Sequence, residues 1–567
     1  MKRRMKKILA VMMALTMFGG TAACGGSSQT EPSSSADSSA QESSVQDSSA
    51  QESSASGEAV DPYGKVSEAI ELHVGRSEDT TVTYMEGQNS SDNYVLNYIS
   101  EQLGITYVYD FSTPSPSNEY ETKVGMVIAS GEFPDVMTVN ESQMRQLVAA
   151  GAVEDMTEAY EKYGSENLKA AYGTTHGISL NSATFEGRLM AMPNISPGAD
   201  GIPLLFVRAD WLEELNLEEP ETMEDIIQIA NAFKSEKGAT DGLVVSSQIA
   251  KRTGNNMFGI DALFAAYGAY PKHFIEDAEG NIVYGSNTPE AKTALAEIRK
   301  LVESGVIDSS FVVRDATTCE ELVTSGKAGM FFGAWWNANS ALPDMIVADP
   351  SVEWDCYLAP VTEEGIYNTA MISPSSTYLV VKAGSSEAVK EAVIKTMNYQ
   401  FDIDQETAVS LKADPQDSYS WTMMPFSLLL SRYDDKEVKA MAALEVIEGK
   451  ASAEDLVPEA LRWYNEYQDI VNGTAEDLKT SLRGYNNIRT AGLIGRSASS
   501  MNQVFDVSYS QTETMDSKWA TLEKLEDEMF LKILTGEESV DAFDGYVEQW
   551  NALGGADIIE ELKAIAQ

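Results

Sequence analysis

The chain has 567 residues, 40 basic and 88 acidic, for a net charge of −48. So acidic a surface repels nucleic acid and anionic lipid, whose binding needs clustered Lys and Arg. Its 43% hydrophobic and 9% aromatic content suits a folded body, and one this long outgrows a single hydrophobic core, so two lobes are expected.

The chain opens on Lys2, Arg3, Arg4, Lys6 and Lys7. The apolar run Ile8 to Phe18 that follows is too short for a permanent membrane helix. Small residues then lead to a cysteine, Thr21-Ala22-Ala23-Cys24-Gly25. The pattern predicts a secretory signal over residues 1–23 and lipidation, as by palmitate, at Cys24. Residues 24–66 are Ser-rich and contain the imperfect repeat SADSSAQESSVQDSSAQESSASGE. They cannot bury a core and read as a disordered tether, reaching roughly 35 Å root-mean-square. The expected location is the extracytoplasmic face of the cell membrane, held by the lipid.

From about Ile70 strands alternate with helices. Tyr84 reads as part of a strand VTYM, and Gly104–Phe111 (GITYVYDF) as another. Thr222 and Asp225 form a capping-box pattern ahead of a helix burying Ile226, Ile229, Ala230 and Phe233. EDAEGN (Glu276–Asn281) lacks the ligand spacing of a calcium loop and reads as a hairpin turn into the strand Asn281–Ser286. Thr288-Pro289-Glu290 starts a helix that buries Leu295, Ile298, Leu301 and Val302 and ends at Gly305. Trp519, Leu522, Leu525, Met529 and Ile533 mark one late helix. Val540, Phe543, Val547, Trp550 and Leu553 mark a last one, closed by Gly554-Gly555. The alternation predicts an α/β body with mostly parallel sheets.

Catalytic patterns are absent from the sequence. His73, His176 and His273 stand far apart, outside any metal-ligand spacing. There is no GxSxG elbow and no GxxxxGK[ST] loop. The three histidines read as structural; Cys319 and Cys356 read as buried free thiols, with a disulfide, which export permits, as the alternative. No enzyme activity and no cofactor are expected.

Four stretches resemble the family 1 extracellular solute-binding proteins, in particular their large lipoprotein-type members. They are Met126–Met156, Phe185–Ile226, Glu321–Asn337 (ELVTSGKAGMFFGAWWN) and Phe543–Leu562 (FDGYVEQWNALGGADIIEEL). The resemblance implies the two-lobed periplasmic-binding-protein-like (class II, venus-flytrap) α/β fold. Lobe 1 is expected over about 67–196 plus 374–510, and lobe 2 over about 203–373 plus 511–567. It also implies a monomer that captures a solute, a carbohydrate or oligosaccharide, and passes it to the permease subunits of an ABC importer. The alternatives are a peptide or other small solute in the same trap, an anchored carbohydrate-active enzyme, or a transport-independent surface sensor. Some relatives with alginate-like ligands carry a DxNxD-type calcium loop after the helix matching Thr222–Lys234. Here that place reads KSEKGATDGLVVSSQ (Lys234–Gln248), so no metal is expected.

Sugar sites need aromatic platforms with amide and charged partners. Trp335 and Trp336, just before Asn337, cannot both point into one core if the segment is extended, so either one is free for the cleft or the second packs on a neighbouring helix. Trp421 lies outside any helical pattern. Tyr84, Glu86 and Asn89 fall at the C-terminal end of the first strand, where open α/β sheets bind ligands. Asn194 sits in the predicted crossover and reads as a ligand contact or a chain-turning residue. Arg208 and Asp210 read as ligand contacts or as a mutual pair, and Tyr485 in RGYNN completes the set.

Overall fold

The computed structural model describes residues 60–566 apart from 81, 83, 116–118, 253–255 and 406–422. The signal, Cys24, nearly all of the tether and Trp421 lie outside the described residues. The body takes up the chain at Asp61, earlier than the expected boundary at residue 66. The Tyr63 hydroxyl donates to Asp402, and buried Val66 bonds through its N–H to the Leu103 carbonyl, so these residues are part of the fold.

Two hydrophobic cores divide the body. The first gathers residues between Val66 and Ile195 and between Tyr378 and Leu430. The second gathers residues between Ala199 and Met371 and between Tyr433 and Leu562. The helices Asp435–Ile447, Pro458–Asn472 and Leu478–Arg496 were expected in lobe 1, whose second stretch was set to end near 510. They belong with lobe 2 instead: Trp463, Ile488, Ala491 and Ile494 join its core. The three helices are amphipathic, and helical periodicity alone does not say which lobe an apolar stripe will cover.

The lobe 1 sheet has five strands in the order Ile105–Ser115, Ile70–Asp79, Val136–Asn140, Thr377–Val381 and Met192–Pro193. The first three are parallel; Thr377–Val381 runs against Val136–Asn140, with Thr377 opposite Asn140. The lobe 2 sheet departs from the parallel expectation. Met330–Gly333 and Trp354–Tyr357 both run antiparallel to Leu204–Arg208, because both later segments return toward the end where the chain entered.

Local signals placed most helices. Thr222 and Asp225 close the capping box of Met223–Lys237, and Pro289 opens Pro289–Glu303 behind the Thr288 cap. Asp277 Oδ1 accepts from the N–H groups of Glu279 and Asn281, making the turn between Phe274–Glu276 and Ile282–Tyr284. The last helix continues past its expected stop. The chain kinks at Gly554, with φ of 132°, and resumes as Ala556–Ala566. Cys319 and Cys356 are buried free thiols, and burial pushes each up to about 12. Among the described residues no helix is long and apolar enough to cross a membrane.

Candidate solute-binding cleft

Three chain crossings join the lobes, and hydrogen bonds run between them. Ile195 N–H donates to the Leu429 carbonyl at 3.0 Å, and Ser431 N–H returns to the Ile195 carbonyl at 3.1 Å. Ser196 N–H reaches Pro374 at 2.8 Å, and Gly198 N–H reaches Tyr433 at 2.7 Å. The crossings approach closely because glycines leave room. A Cβ on Gly198 would lie 2.7 Å from the Tyr433 ring, and one on Gly201 2.7 Å from Ile372. A narrow, bonded ribbon between two separate cores is the geometry of a hinge.

The strand registers fix which ends of the sheets face this hinge. In lobe 1 Thr377 follows the crossing and pairs with Asn140, so the C-terminal ends of the parallel strands point there. The loop after Ile70–Asp79, which holds Tyr84, Glu86 and Asn89, therefore lies at the hinge end. It is fastened from below: Arg76, wholly buried, donates to the carbonyls of Ser90 and Met424, and Asn93 Nδ2 donates to Met423. In lobe 2 Leu204 leaves the crossing and pairs with Gly333. The turn Trp335–Asn339 directly after Gly333 therefore stands at the hinge end too. A small pocket, partly open to solvent, lies beside the ribbon. Gly201 and Ile372 of the hinge line it with Asn256, Asp261, Tyr270 and His273 of lobe 2.

The expected site residues separate on this frame. Trp336 is 38% exposed and Trp335 only 8%, so one of the two is free, in a 3-10 turn rather than the extended segment assumed. Trp335 Nε1 donates to Asp200 Oδ1 at 2.8 Å, and its ring lies 6.2 Å from that of Trp463. Asn337 is a buried cap: its Oδ1 accepts from Ala334 N–H at 2.7 Å. Tyr84 is half-buried and stands beyond the first strand, which ends at Asp79, rather than inside one; Glu86 and Asn89 are exposed.

Four expected contacts are held elsewhere. Asn194 Oδ1 accepts from the N–H groups of Ser376 and Thr377 at 2.8 and 2.9 Å, so it shapes the crossover. Arg208 grips Asp210 through two hydrogen bonds of 2.8 and 2.6 Å. Arg208 pairs with Trp354 at the far end of Leu204–Arg208, about 13 Å from the hinge end at 3.3 Å per residue. Tyr485 is buried against Tyr467, ring centroids 5.4 Å apart. These residues have polar or aromatic partners within their own lobes, which a sequence does not display.

The histidines have structural partners: His73 with Asp110, His273 with Asp506, and His176 against the Phe505 ring. The chain reading missed a charged cluster beside the hinge. Lys436 and Lys439 both bridge buried Asp435, at 2.7 and 2.9 Å, and Lys439 reaches Glu459 at 2.5 Å. Burial works against Glu459, yet the two lysines hold it down to about 2. Burial pushes Asp404 up to about 6 and, with Asp434, Asp435 and Asp200 adding to it, Glu437 up to about 7. Burial also raises Asp200, against the Trp335 hydrogen bond. The only sequence signal for the cluster was the DDKEVK run at Asp434–Lys439, which reads equally well as a solvated helix start.

Residues 98–404 match the family model described as bacterial extracellular solute-binding protein. The chain belongs to that family. Among curated relatives it is 24% identical over 465 residues to the polygalacturonan/rhamnogalacturonan-binding protein YtcQ of Bacillus subtilis, covering 81% of this chain and 84% of that one. It is 21% identical over 273 residues to the fructooligosaccharide ABC transporter substrate-binding protein FusA of Streptococcus pneumoniae, covering 46% and 49%. Two solved structures share the fold. An extracellular solute-binding protein from Bifidobacterium longum subsp. infantis superposes with a TM-score of 0.60 at 12% identity, over 89% of this chain and 99% of that one. FusA bound to kestose superposes with a TM-score of 0.54 at 17% identity, over 87% and 98%. The fold is the two-lobed α/β architecture of the solute-binding proteins.

Proposed function

We propose that this protein captures an oligosaccharide between its lobes and delivers it to the permease of an ABC importer. It works as a monomer anchored through a lipid on Cys24, at the outer face of the cell membrane. The observation that carries this reading is the exposed Trp336 indole at the hinge end of lobe 2. An indole face of this kind stacks on the apolar face of a sugar ring. Tyr84, Glu86 and Asn89, in the loop at the hinge end of lobe 1, would add hydrogen-bonding groups, and Asn256 and Tyr270 those of the pocket lining. Curated relatives named for polysaccharide and fructooligosaccharide binding support the carbohydrate class. Hinge bending about the 195–201, 371–377 and 430–433 crossings would close the lobes on the solute without internal rearrangement. The chain binds and releases; it performs no covalent step.

A thermal-shift screen tests this. A bound ligand raises Tm by mass action, so oligosaccharides should raise it and di- to hexapeptides should not. Stabilisation by peptides alone would overturn the carbohydrate reading.

A further inference from the structure

Resting on that carbohydrate reading, we propose that Asp200 is a positioning residue for the sugar platform. Its carboxylate holds Trp335 and so fixes where the neighbouring Trp336 indole stands, without itself touching the sugar. Trp336 lies in the five-residue 3-10 turn Trp335–Asn339. Hydrogen bonds inside such a turn are poorer in geometry than those of an α-helix, so fastenings from outside decide where its side chains point. Trp336 stands between two of them. On its N-terminal side Trp335 Nε1 donates to Asp200 Oδ1 at 2.8 Å. On its C-terminal side the buried Asn337 donates to Met257 Sδ at 3.1 Å, and Asn486 Nδ2 donates to the Ala338 carbonyl at 2.9 Å.

The two sides tie the turn to different bodies. Met257 packs on the lobe 2 core, and Asn486 lies on the Leu478–Arg496 helix of the same lobe. Asp200 lies in the first crossing, within the turn Gly198–Gly201. Its bond therefore sets the Trp336 indole relative to the ribbon about which the lobes bend. The Trp335 ring transmits this because it is buried, with the Trp463 ring 6.2 Å away and the Lys436 ammonium 5.9 Å from its centroid. A platform already held in its stacking pose loses less freedom when the sugar arrives. Without the carboxylate, the first half of the turn is released and Trp336 spends time in orientations that do not stack.

Titration calorimetry on the intact protein tests the assignment. The probes are gluco-, fructo-, xylo-, arabino- and galacto-oligosaccharides and oligogalacturonates, and the tightest of them is carried forward to the variants. Asp200→Ala should weaken its binding at least about fivefold when Trp336 is present and less than about twofold in the Trp336→Ala background, since residues joined through one contact do not act additively. Asp200→Asn keeps a neutral oxygen for the indole N–H, a weaker acceptor than a carboxylate, and should restore binding to within about twofold of the parent. Urea midpoints of the same chains read stability separately, and the cost of Asp200→Ala there should not depend on Trp336. Equal losses of affinity with and without Trp336, or an Asp200→Asn variant no better than Asp200→Ala, overturn the assignment while leaving the carbohydrate reading intact. Failure of every saccharide to bind the parent overturns both.

Discussion

Trp335 donates its indole N–H to the Asp200 carboxylate at 2.8 Å, tying the lobe 2 turn after Gly333 to the first crossing of the hinge. The neighbouring Trp336 presents 38% of its surface to solvent. Two adjacent tryptophans are thereby divided between a structural task and a surface one.

Opposite effects of alanine substitution follow from this division. Trp335→Ala should destabilise the fold by about 3 kcal/mol, the usual range for a buried aromatic. Trp336→Ala should leave the denaturation midpoint within about 0.5 kcal/mol of the parent. The same change should weaken sugar binding by at least about tenfold through lost stacking. Urea unfolding and calorimetry, run on both variants, read the two effects separately.

Helix starts were legible where residues carry their own local chemistry. The Thr222–Asp225 box and the Thr288-Pro289 cap can be recognised without tertiary information, and each forms where it was expected, whereas Trp335–Asn339 forms a 3-10 turn in place of the extended segment assumed. Pairing could not be read. Asn194 read as a ligand contact or a chain-turning residue, and sequence could not choose, because the Ser376 and Thr377 amides that its Oδ1 holds lie 182 and 183 residues away. Of the two readings left open for Arg208 and Asp210, the mutual pair is the one that forms. A strand gives no hint which of its ends faces a hinge until its register to Met330–Gly333 and Trp354–Tyr357 is known. The helices between Asp435 and Arg496 went to the wrong lobe because amphipathic stripes fit either core.

Stability should fall as pH rises from about 4.5 to about 7. Glu437, Glu466 and Glu526 are each pushed up to about 7, in every case chiefly by burial. A carboxyl whose folded pKa exceeds its unfolded value binds more protons in the native state, so deprotonation favours unfolding across that window. Glu437→Gln should flatten the pH dependence of the urea midpoint between those limits, by about 1 to 2 kcal/mol. The opposite slope belongs to Glu459. Held near 2, it contributes stability that is present above about 4.5 and lost as pH falls toward 2. A midpoint that rises steadily from pH 4.5 to 7 would contradict the Glu437 assignment.

Calcium and chelators should leave Tm unchanged. Asp241, in the segment after the Met223–Lys237 helix, is fully buried, and Arg314 donates to its Oδ1 at 2.5 Å. The same guanidinium reaches Asp308 at 3.0 Å, so a fixed cation already bridges two carboxylates there. Arg314→Ala would strand a buried charge and should cost about 3 to 5 kcal/mol. Differential scanning calorimetry of the parent with calcium, with EDTA and with neither, alongside the Arg314→Ala variant, distinguishes a guanidinium bridge from a metal-dependent one.

The hinge offers the sharpest steric test. Gly198 gives its N–H to the Tyr433 carbonyl at 2.7 Å while the Tyr433 ring lies 2.7 Å from where a Cβ would stand. Gly198→Ala must push that ring aside, and Tyr433 is buried, with its hydroxyl donating to the Ile372 carbonyl at 3.3 Å. All three crossings would then shift together, at a cost of about 1 to 3 kcal/mol. Tyr433→Leu in the Gly198→Ala background should relieve part of that cost, since the two positions share one contact and their effects should not add. A double-mutant cycle by urea denaturation, with X-ray scattering of each variant with and without the bound sugar, would show whether the strained ribbon still permits lobe closure. Additive stabilities, or a sugar-dependent change in radius of gyration identical to that of the parent, would mean that the Gly198–Tyr433 contact is not part of the bending element.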